Sequence, residues 1–287
     1  MDKLEIDTII ISGGGCKGIS YVGALIALYE KNKIDINNIK ILAGSSIGGI
    51  ITFALCAGYT LYEIKKWFLE IEFSRLCPVL YDTSCSNKIL PFISTSYSLG
   101  NDDEIKKILI KIFTDKNFNY NDLTFEDLYN KTNKLLVLTG SNLTLQKCDY
   151  FSYRKTPDMK IYDALLITTR IPFIFPYIKY NNCFYVDGHL FDPFPIKGCG
   201  KINKNNVLGI ISINYRNKPL IINDIKDFTL SMLEGVSKEF IKKIINKYKK
   251  NIIFIDIDKK FFDMNISLDE MNSFYNIGFN SGLDFLK

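Results

Sequence analysis

A serine between two glycines is a group in this chain that could act as a nucleophile. Residues 44–48 read Gly-Ser-Ser-Ile-Gly, the pattern G-x-S-x-G, between an apolar run of strand character and an apolar helical run. A serine on so sharp a strand-to-helix turn adopts a strained backbone conformation, and Gly44 and Gly48 let the strand and the helix approach each other. The new helix also directs its unpaired N–H groups and its positive dipole end at the serine. The pattern predicts Ser46 as a nucleophile.

A run of glycines follows the first predicted strand. Residues 13–18 read Gly-Gly-Gly-Cys-Lys-Gly, between a β-branched run and a helical pattern. The same letters satisfy G-x-G-x-x-G, which is typical of dinucleotide-binding turns, but that site also needs a second strand ending in Asp or Glu. Here the second strand ends in the serine turn, and the Gly-Lys-Ser/Thr of a P-loop does not follow the glycines. The interpretation that remains is a pocket of backbone N–H groups facing a developing oxyanion.

A nucleophilic serine needs a base, and two candidates stand next to each other. The single histidine, His189, follows Asp187-Gly188 at the end of a predicted strand. An aspartate with an ordinary pKa near 4 is a poor base at neutral pH, so burial beside the serine would have to raise its pKa. The residues alone therefore leave two arrangements open, a dyad of Ser46 with Asp187 and a triad that includes His189.

Taken in order, these motifs resemble the patatin-like phospholipase family. The resemblance rests on the glycine run at residues 13–18, the serine turn at residues 44–48 and the Asp-Gly at 187–188. Two further stretches are similar to that family, Leu-Thr-Phe-Glu-Asp-Leu at residues 123–128 and the segment 164–176. The ordered set covers about residues 7–195 and is more specific than any single motif.

The resemblance implies an α/β/α fold, hydrolysis of lipid acyl esters, and a Ser–Asp dyad without histidine. By matching positions it implies Ser46 as nucleophile, Asp187 as base, and an oxyanion hole formed by the amides of Gly14, Gly15 and Cys16. The positions that support these motifs are Gly13, Lys17, Gly18, Gly44, Gly48 and Gly188. This mechanism requires no metal and no cofactor.

One residue departs from the family pattern. His189 stands where the family usually has glycine or another small residue. Whether His189 assists the reaction, blocks it or points to solvent is left open by the sequence.

The elements that must position these groups alternate between strands and helices. This alternation predicts an α/β fold, with a mostly parallel sheet covered by helices on both faces. We expect a single domain over residues 1–287, in which residues 206–285 complete the fold. We expect Thr60 to cap a helix over 61–73, a long helix over 228–249, and a loop region at residues 74–100 that forms a lid or substrate mouth.

Composition narrows the class of protein. Hydrophobic residues make up 47% of the 287 residues, and the net charge of +5 is too mild to support nucleic-acid binding. Seven cysteines without a C-x-x-C pair favour reduced thiols over a zinc site or a disulfide framework. The acidic start of the chain is unlike a secretory signal, and we expect a cytoplasmic protein.

Contact with a membrane surface is a further hypothesis. Residues 238–251 are basic and amphipathic, and they could lie on an anionic lipid surface, although a helix with its apolar face in the core is the commoner explanation. The aromatic loop at residues 173–177 could line an acyl tunnel or pack in the core.

The expected partner is a phospholipid or another acyl-lipid substrate. Two alternatives to a lipid acyl hydrolase remain at this point. One is a catalytically silent lipid-binding or scaffold protein, and the other is a soluble ester or thioester hydrolase that uses His189.

Overall fold

A computed structural model describes residues 3–76, 98, 102–214, 222, 225–259 and 264–287. Its centre is an eight-stranded sheet in the order β5-β6-β3-β2-β1-β7-β8, with β4 paired to β3. The strands are β1 (Thr8–Ile11), β2 (Ile41–Gly44), β3 (Leu135–Asn142), β4 (Lys147–Ser152), β5 (Ile178–Tyr180), β6 (Cys183–Asp187), β7 (Val207–Ile213) and β8 (Ile252–Asp256). The contacts among β1, β2, β3, β7 and β8 are parallel, whereas those of β4, β5 and β6 are antiparallel. The prediction of a mostly parallel sheet is confirmed.

Helices connect most of these strands. They are α1 (Gly18–Glu30), α2 (Ile47–Cys56), α3 (Leu61–Glu70), α4 (Asp103–Thr114), α5 (Phe125–Thr132), α6 (Ile161–Thr168), α7 (Ile225–Tyr248) and α8 (Leu268–Asp284). Thr60 caps α3 as predicted, in a capping box with Glu63. The helix ends at Glu70, however, three residues before the expected end, and a short 3₁₀ helix begins at Phe73. The predicted lid at residues 74–100 lies mostly outside the described residues.

The two faces of the sheet bury different side chains, because successive residues of a strand point to opposite sides. Ile9 and Ile11 of β1 belong to a large core that also contains residues of α1, α2, α3 and α6. Ile10, between them, belongs to a second core with Phe194 and with Ile241 of α7. Helices therefore cover both faces, and the predicted three-layer α/β/α arrangement is confirmed.

The register of β3 brings two distant segments together. Leu138 pairs with β2 and β4 at once, so these two strands lie on opposite edges of β3. Gly140 pairs with β4 and with Asp187 of β6 at once, so β6 lies on the same edge as β2. On that edge Gly44 stands opposite Leu138 and Asp187 stands opposite Gly140, two residues further along β3. The end of β6 is thus placed directly beyond the end of β2, where the serine turn begins.

Candidate active site

Ser46 occupies a sharp turn between β2 and α2. Its φ of 54° and ψ of −129° lie in a region that side chains other than glycine rarely adopt, and Ser46 is 6% exposed. A Cβ on Gly44 would collide with the Gly48 carbonyl, and a Cβ on Gly48 would collide with the Ile11 carbonyl. The turn therefore needs glycine at both positions. The Ser46 amide donates a hydrogen bond to Oγ1 of Thr168, over 3.0 Å.

The side chain, the amide and the carbonyl of Asp187 all form hydrogen bonds. The Ser46 hydroxyl donates to Oδ2 of Asp187 over 2.6 Å, and the His189 amide donates to Oδ1 over 2.8 Å. The Asp187 amide donates to the carbonyl of Arg170 over 2.7 Å. The Ser141 hydroxyl donates to the carbonyl of Asp187 over 2.8 Å. These bonds fix the carboxylate against the serine hydroxyl.

The environment of Asp187 changes its proton affinity. Burial raises the pKa of Asp187 to about 7, although the hydrogen bonds from Ser46 and His189 act in the opposite direction. A carboxylate with a pKa near the operating pH can take a proton from a hydroxyl far better than an ordinary aspartate can. The pKa shift that the sequence analysis required is therefore present.

The glycine run passes directly over the serine turn. A Cβ on Gly13 would lie 3.0 Å from Cβ of Ser46 and 2.5 Å from Nδ1 of His189. Gly15 has a φ of 56° and begins a short 3₁₀ helix, Gly15–Lys17, that continues into α1. The amides of Gly14, Gly15 and Cys16 therefore stand at the start of a helix that begins next to Ser46. Cys16 is a buried free thiol, 1% exposed.

The remaining motif positions support the packing around this site. Lys17 is 1% exposed, and its Nζ lies 3.5 Å from the carbonyl of Ile257. A Cβ on Gly18 would lie 2.8 Å from side-chain atoms of Ile47 and Phe68, so α1 can approach α2 and α3 only with glycine there. A Cβ on Gly188 would collide with Thr139. Each of these positions is constrained by close packing.

His189 does not point to solvent. It is 5% exposed, and its Nε2 lies 2.6 Å from Oγ of Ser237 in α7. Burial lowers the pKa of His189 to about 3, so its imidazole is neutral at physiological pH. The sequence left open where His189 points. In the structure its imidazole is hydrogen-bonded to α7 and packs against Gly13.

Tyr21 is a supporting residue that the sequence analysis missed. Its hydroxyl donates to the carbonyl of Gly13 over 2.8 Å, and Oγ of Ser212 lies 2.9 Å away. Burial raises the pKa of Tyr21 to about 12, which keeps the hydroxyl protonated as a donor. A hydroxyl on the apolar side of α1, one turn after the glycine run, is the signal that could have identified it. Thr168 and Ser141 carried no comparable signal.

The aromatic loop at residues 173–177 is divided between the core and an apolar groove. Ile174 and Phe175 are buried in the core. Phe173 is 39% exposed and helps to line an apolar groove of about 420 Å³, together with Phe184 and Leu143. The groove borders β6, the strand that ends at Asp187, because Val186 also lines it.

Two features are absent from the part of the chain that the structure describes. Within those ranges, no three His, Cys, Asp or Glu side chains group closely enough to hold a metal ion. None of the helices in the same ranges combines the length and the apolar character needed to cross a bilayer.

Known proteins share this sequence pattern. The patatin-like phospholipase family matches residues 9–199. The chain belongs to the patatin-like phospholipase family. Probable lipid hydrolase 463L of Invertebrate iridescent virus 6 is 36% identical over 211 residues, which cover 74% of this chain and 64% of that protein. The uncharacterized protein R571 of Acanthamoeba polyphaga mimivirus is 29% identical over 277 residues, which cover 94% of this chain and 89% of that protein.

The fold has a counterpart among solved structures. VipD from Legionella pneumophila superposes with a TM-score of 0.64 over 98% of this chain and 67% of that chain, at 17% identity. At this identity the likeness concerns the fold alone. The patatin-like chain described here spans less than two thirds of lipid hydrolase 463L, at 64%. The predicted family and fold are confirmed by these comparisons.

Proposed function

We propose that this patatin-like protein is a serine lipid acyl hydrolase, which cleaves fatty acyl esters of phospholipids or related lipids. The observation that carries the proposal is the 2.6 Å hydrogen bond from the Ser46 hydroxyl to Oδ2 of Asp187. A hydroxyl bonded to a buried carboxylate of raised pKa has the nucleophile and the base of an ester hydrolase in contact.

In the first half of the reaction, Asp187 takes the proton of the Ser46 hydroxyl while Oγ attacks the ester carbonyl carbon. The carbonyl oxygen becomes an oxyanion, which accepts hydrogen bonds from the amides of Gly14, Gly15 and Cys16. Each such donor contributes roughly 3 kcal/mol of transition-state stabilisation. The tetrahedral intermediate then expels the alcohol of the lipid, which receives the proton from Asp187.

In the second half, water hydrolyses the acyl-enzyme. Asp187 takes a proton from the water as it attacks the acyl carbon, and the same amides hold the second oxyanion. Ser46 leaves with the proton, and the fatty acid is released.

The dyad is favoured over the triad by the surroundings of His189. Its Nε2 is engaged by Ser237, and its low pKa makes it a weak base. The role assigned to His189 in this mechanism is to hold Asp187 through its backbone amide. A cytoplasmic setting fits the five described cysteines, all of which are free thiols.

Covalent labelling tests the nucleophile. We expect a fluorophosphonate probe to label the wild-type protein at Ser46 and to leave Ser46→Ala unlabelled. We also expect the Ser46→Ala variant to lose at least about 10⁴-fold of kcat, the scale on which removal of a serine nucleophile acts. Mass spectrometry of the labelled peptide and of products from a phospholipid and neutral-lipid panel gives both results. Equal labelling of both proteins, or of neither, would end the proposal.

A further inference from the structure

Helix α7 carries an exposed apolar row on its outer side. Phe228, Met232, Val236 and Phe240 recur every fourth residue, and they are 54%, 52%, 42% and 39% exposed. Residues four apart on a helix are neighbours on its surface, so the four side chains form one continuous strip. An exposed strip of large apolar side chains marks a surface that contacts another apolar phase.

A second face of the same helix, about 100° around its axis from the row, is already occupied. Leu233 belongs to one core of the molecule and Ile241 to the other, and Ser237 is buried against His189. The apolar row is therefore additional to the face that holds α7 on the sheet. Core packing explains the apolar residues on the buried face of α7. It does not explain the exposed apolar row.

Positive charge continues the row toward the end of the helix. Lys243 lies three residues after Phe240 and Lys247 four residues further, and both are exposed. Lys243 Nζ lies 5.9 Å from the Phe240 ring centroid, so the charge borders the apolar strip directly. Lys242 is also exposed but forms an ion pair with Glu239. A row of apolar side chains bordered by lysines matches a bilayer surface with acyl chains beneath anionic head groups.

The position of α7 connects this surface with the serine site. Ser237 follows Val236 of the row, and it bonds the imidazole of the residue whose amide holds Asp187. An α-helix is about 10 Å across, so a lipid surface on the outer side of α7 lies close to the serine. We propose that the outer row of α7, residues 228, 232, 236 and 240 with the adjacent lysines, docks this protein on an anionic phospholipid surface. This docking proposal rests on the proposed function, because a lipid acyl hydrolase must reach its substrate at a lipid surface.

Vesicle sedimentation tests the docking with hydrolysis removed. The protein carries Ser46→Ala, and the probe is a large unilamellar vesicle of phosphatidylcholine, with or without phosphatidylserine. We expect binding to vesicles with phosphatidylserine, and at least tenfold weaker partitioning of the triple variant Phe228→Ser, Met232→Ser, Phe240→Ser. A matched triple variant at other exposed apolar positions, Tyr29→Ser, Leu145→Ser, Leu268→Ser, should bind as the parent does.

A second variant reverses exposed charges and removes no apolar side chain, so it tests the docking even if the triple variant does not fold. Lys243→Glu with Lys247→Glu should weaken binding to anionic vesicles at least tenfold, whereas Lys66→Glu with Lys107→Glu, on α3 and α4, changes the net charge equally and should have a small effect. Thermal unfolding of each variant shows that it is folded. Raising the salt concentration from about 0.1 to 0.5 M should also weaken binding, because exposed charges are screened.

Three outcomes overturn the proposal. They are undiminished binding of both α7 variants, loss of binding only in a Phe173→Ser, Phe184→Ser variant of the apolar groove, and burial of the row in a stable dimer found by analytical ultracentrifugation. Failure of the proposed function would give a different result from failure of the docking proposal. It would appear as absent fluorophosphonate labelling and absent hydrolysis of a short-chain soluble ester by a wild-type protein that still binds vesicles.

Discussion

Burial of Asp187 predicts opposite pH dependences for activity and for stability. With a pKa of about 7, Asp187 is mostly protonated below neutral pH, and in that form it cannot act as the proposed base. We expect kcat/KM to rise about tenfold per pH unit below pH 7 and to level off above it. Asp187→Asn, which cannot accept the proton, should lose roughly 10³-fold or more of kcat above pH 7, and the difference from the wild type should shrink as the pH falls. The pH–rate profile of both proteins on a soluble ester is the measurement.

The stability of the same pair of proteins should follow pH in the opposite sense. The folded pKa of Asp187 is raised above the unfolded value near 4, so the unfolded chain loses its proton first as pH rises. The wild type should therefore lose stability between about pH 4 and pH 7 relative to Asp187→Asn. Thermal unfolding from pH 4 to pH 8 measures the difference. A midpoint difference that does not change with pH would contradict the buried, proton-binding carboxylate.

His189 should matter for stability more than for catalysis. His189→Ala removes the bond to Ser237, worth about 1 kcal/mol, together with buried packing. We expect a lower Tm but a kcat/KM within about tenfold of wild type, whereas loss of a triad base costs about 10⁴-fold. The pH inflection near 7 should remain, because it belongs to Asp187.

Ser237→Ala is the matched variant for His189. It removes the same hydrogen bond and leaves the imidazole in place. A loss of several orders of magnitude in His189→Ala, with Ser237→Ala unaffected, would support the triad instead.

At the scale of elements, α1 holds the glycine run in position through one hydroxyl. Tyr21→Phe removes the hydroxyl that donates to the Gly13 carbonyl and that is hydrogen-bonded to Oγ of Ser212. We expect a loss of about 1 kcal/mol in the free energy of unfolding and roughly a tenfold fall in kcat, with KM nearly unchanged. Tyr29→Phe, on the exposed side of the same helix, is the control and should leave both quantities unchanged. A change in KM alone would mean that the hydroxyl acts on substrate binding and not on the amide loop.

The pairing of elements was only partly predictable. The strand before Ser46 and the helix after it follow from local residue types, and so does the capping box of α3 at Thr60. Asp187 could be assigned to the end of a strand. Its place beside Ser46, however, depends on β6 running antiparallel on the edge of β3 that β2 also uses. Local periodicity carries no information about which edge a strand joins.

At the scale of the whole molecule, the C-terminal part stabilises the half that carries the site. Residues after 199 lie outside the family match, yet β7 pairs with β1 and α8 packs on α1. Gly278 of α8 lies against the backbone of Ser20, and an added Cβ would collide with it. We therefore expect Gly278→Ala to lower the free energy of unfolding by about 1–3 kcal/mol, as in other overpacked cores.

Gly235 provides the comparison for Gly278. It also lies in a helix, but an added Cβ would meet no atom within 4 Å. Gly235→Ala should leave stability unchanged or raise it by up to about 1 kcal/mol, because alanine favours helix. Urea unfolding of the two variants is the measurement, and equal effects would contradict close packing between α8 and α1.

The sequence by itself determined the chemical groups and the local shapes that present them. The serine turn, the glycine run and the helix starts depend on backbone conformations that a few neighbouring residues impose. The tertiary structure alone decided which carboxylate meets the serine, since the two residues of that hydrogen bond are 141 positions apart. It also decided the pKa values of Asp187 and His189, because burial is a property of everything packed around a group and not of its neighbours in the chain.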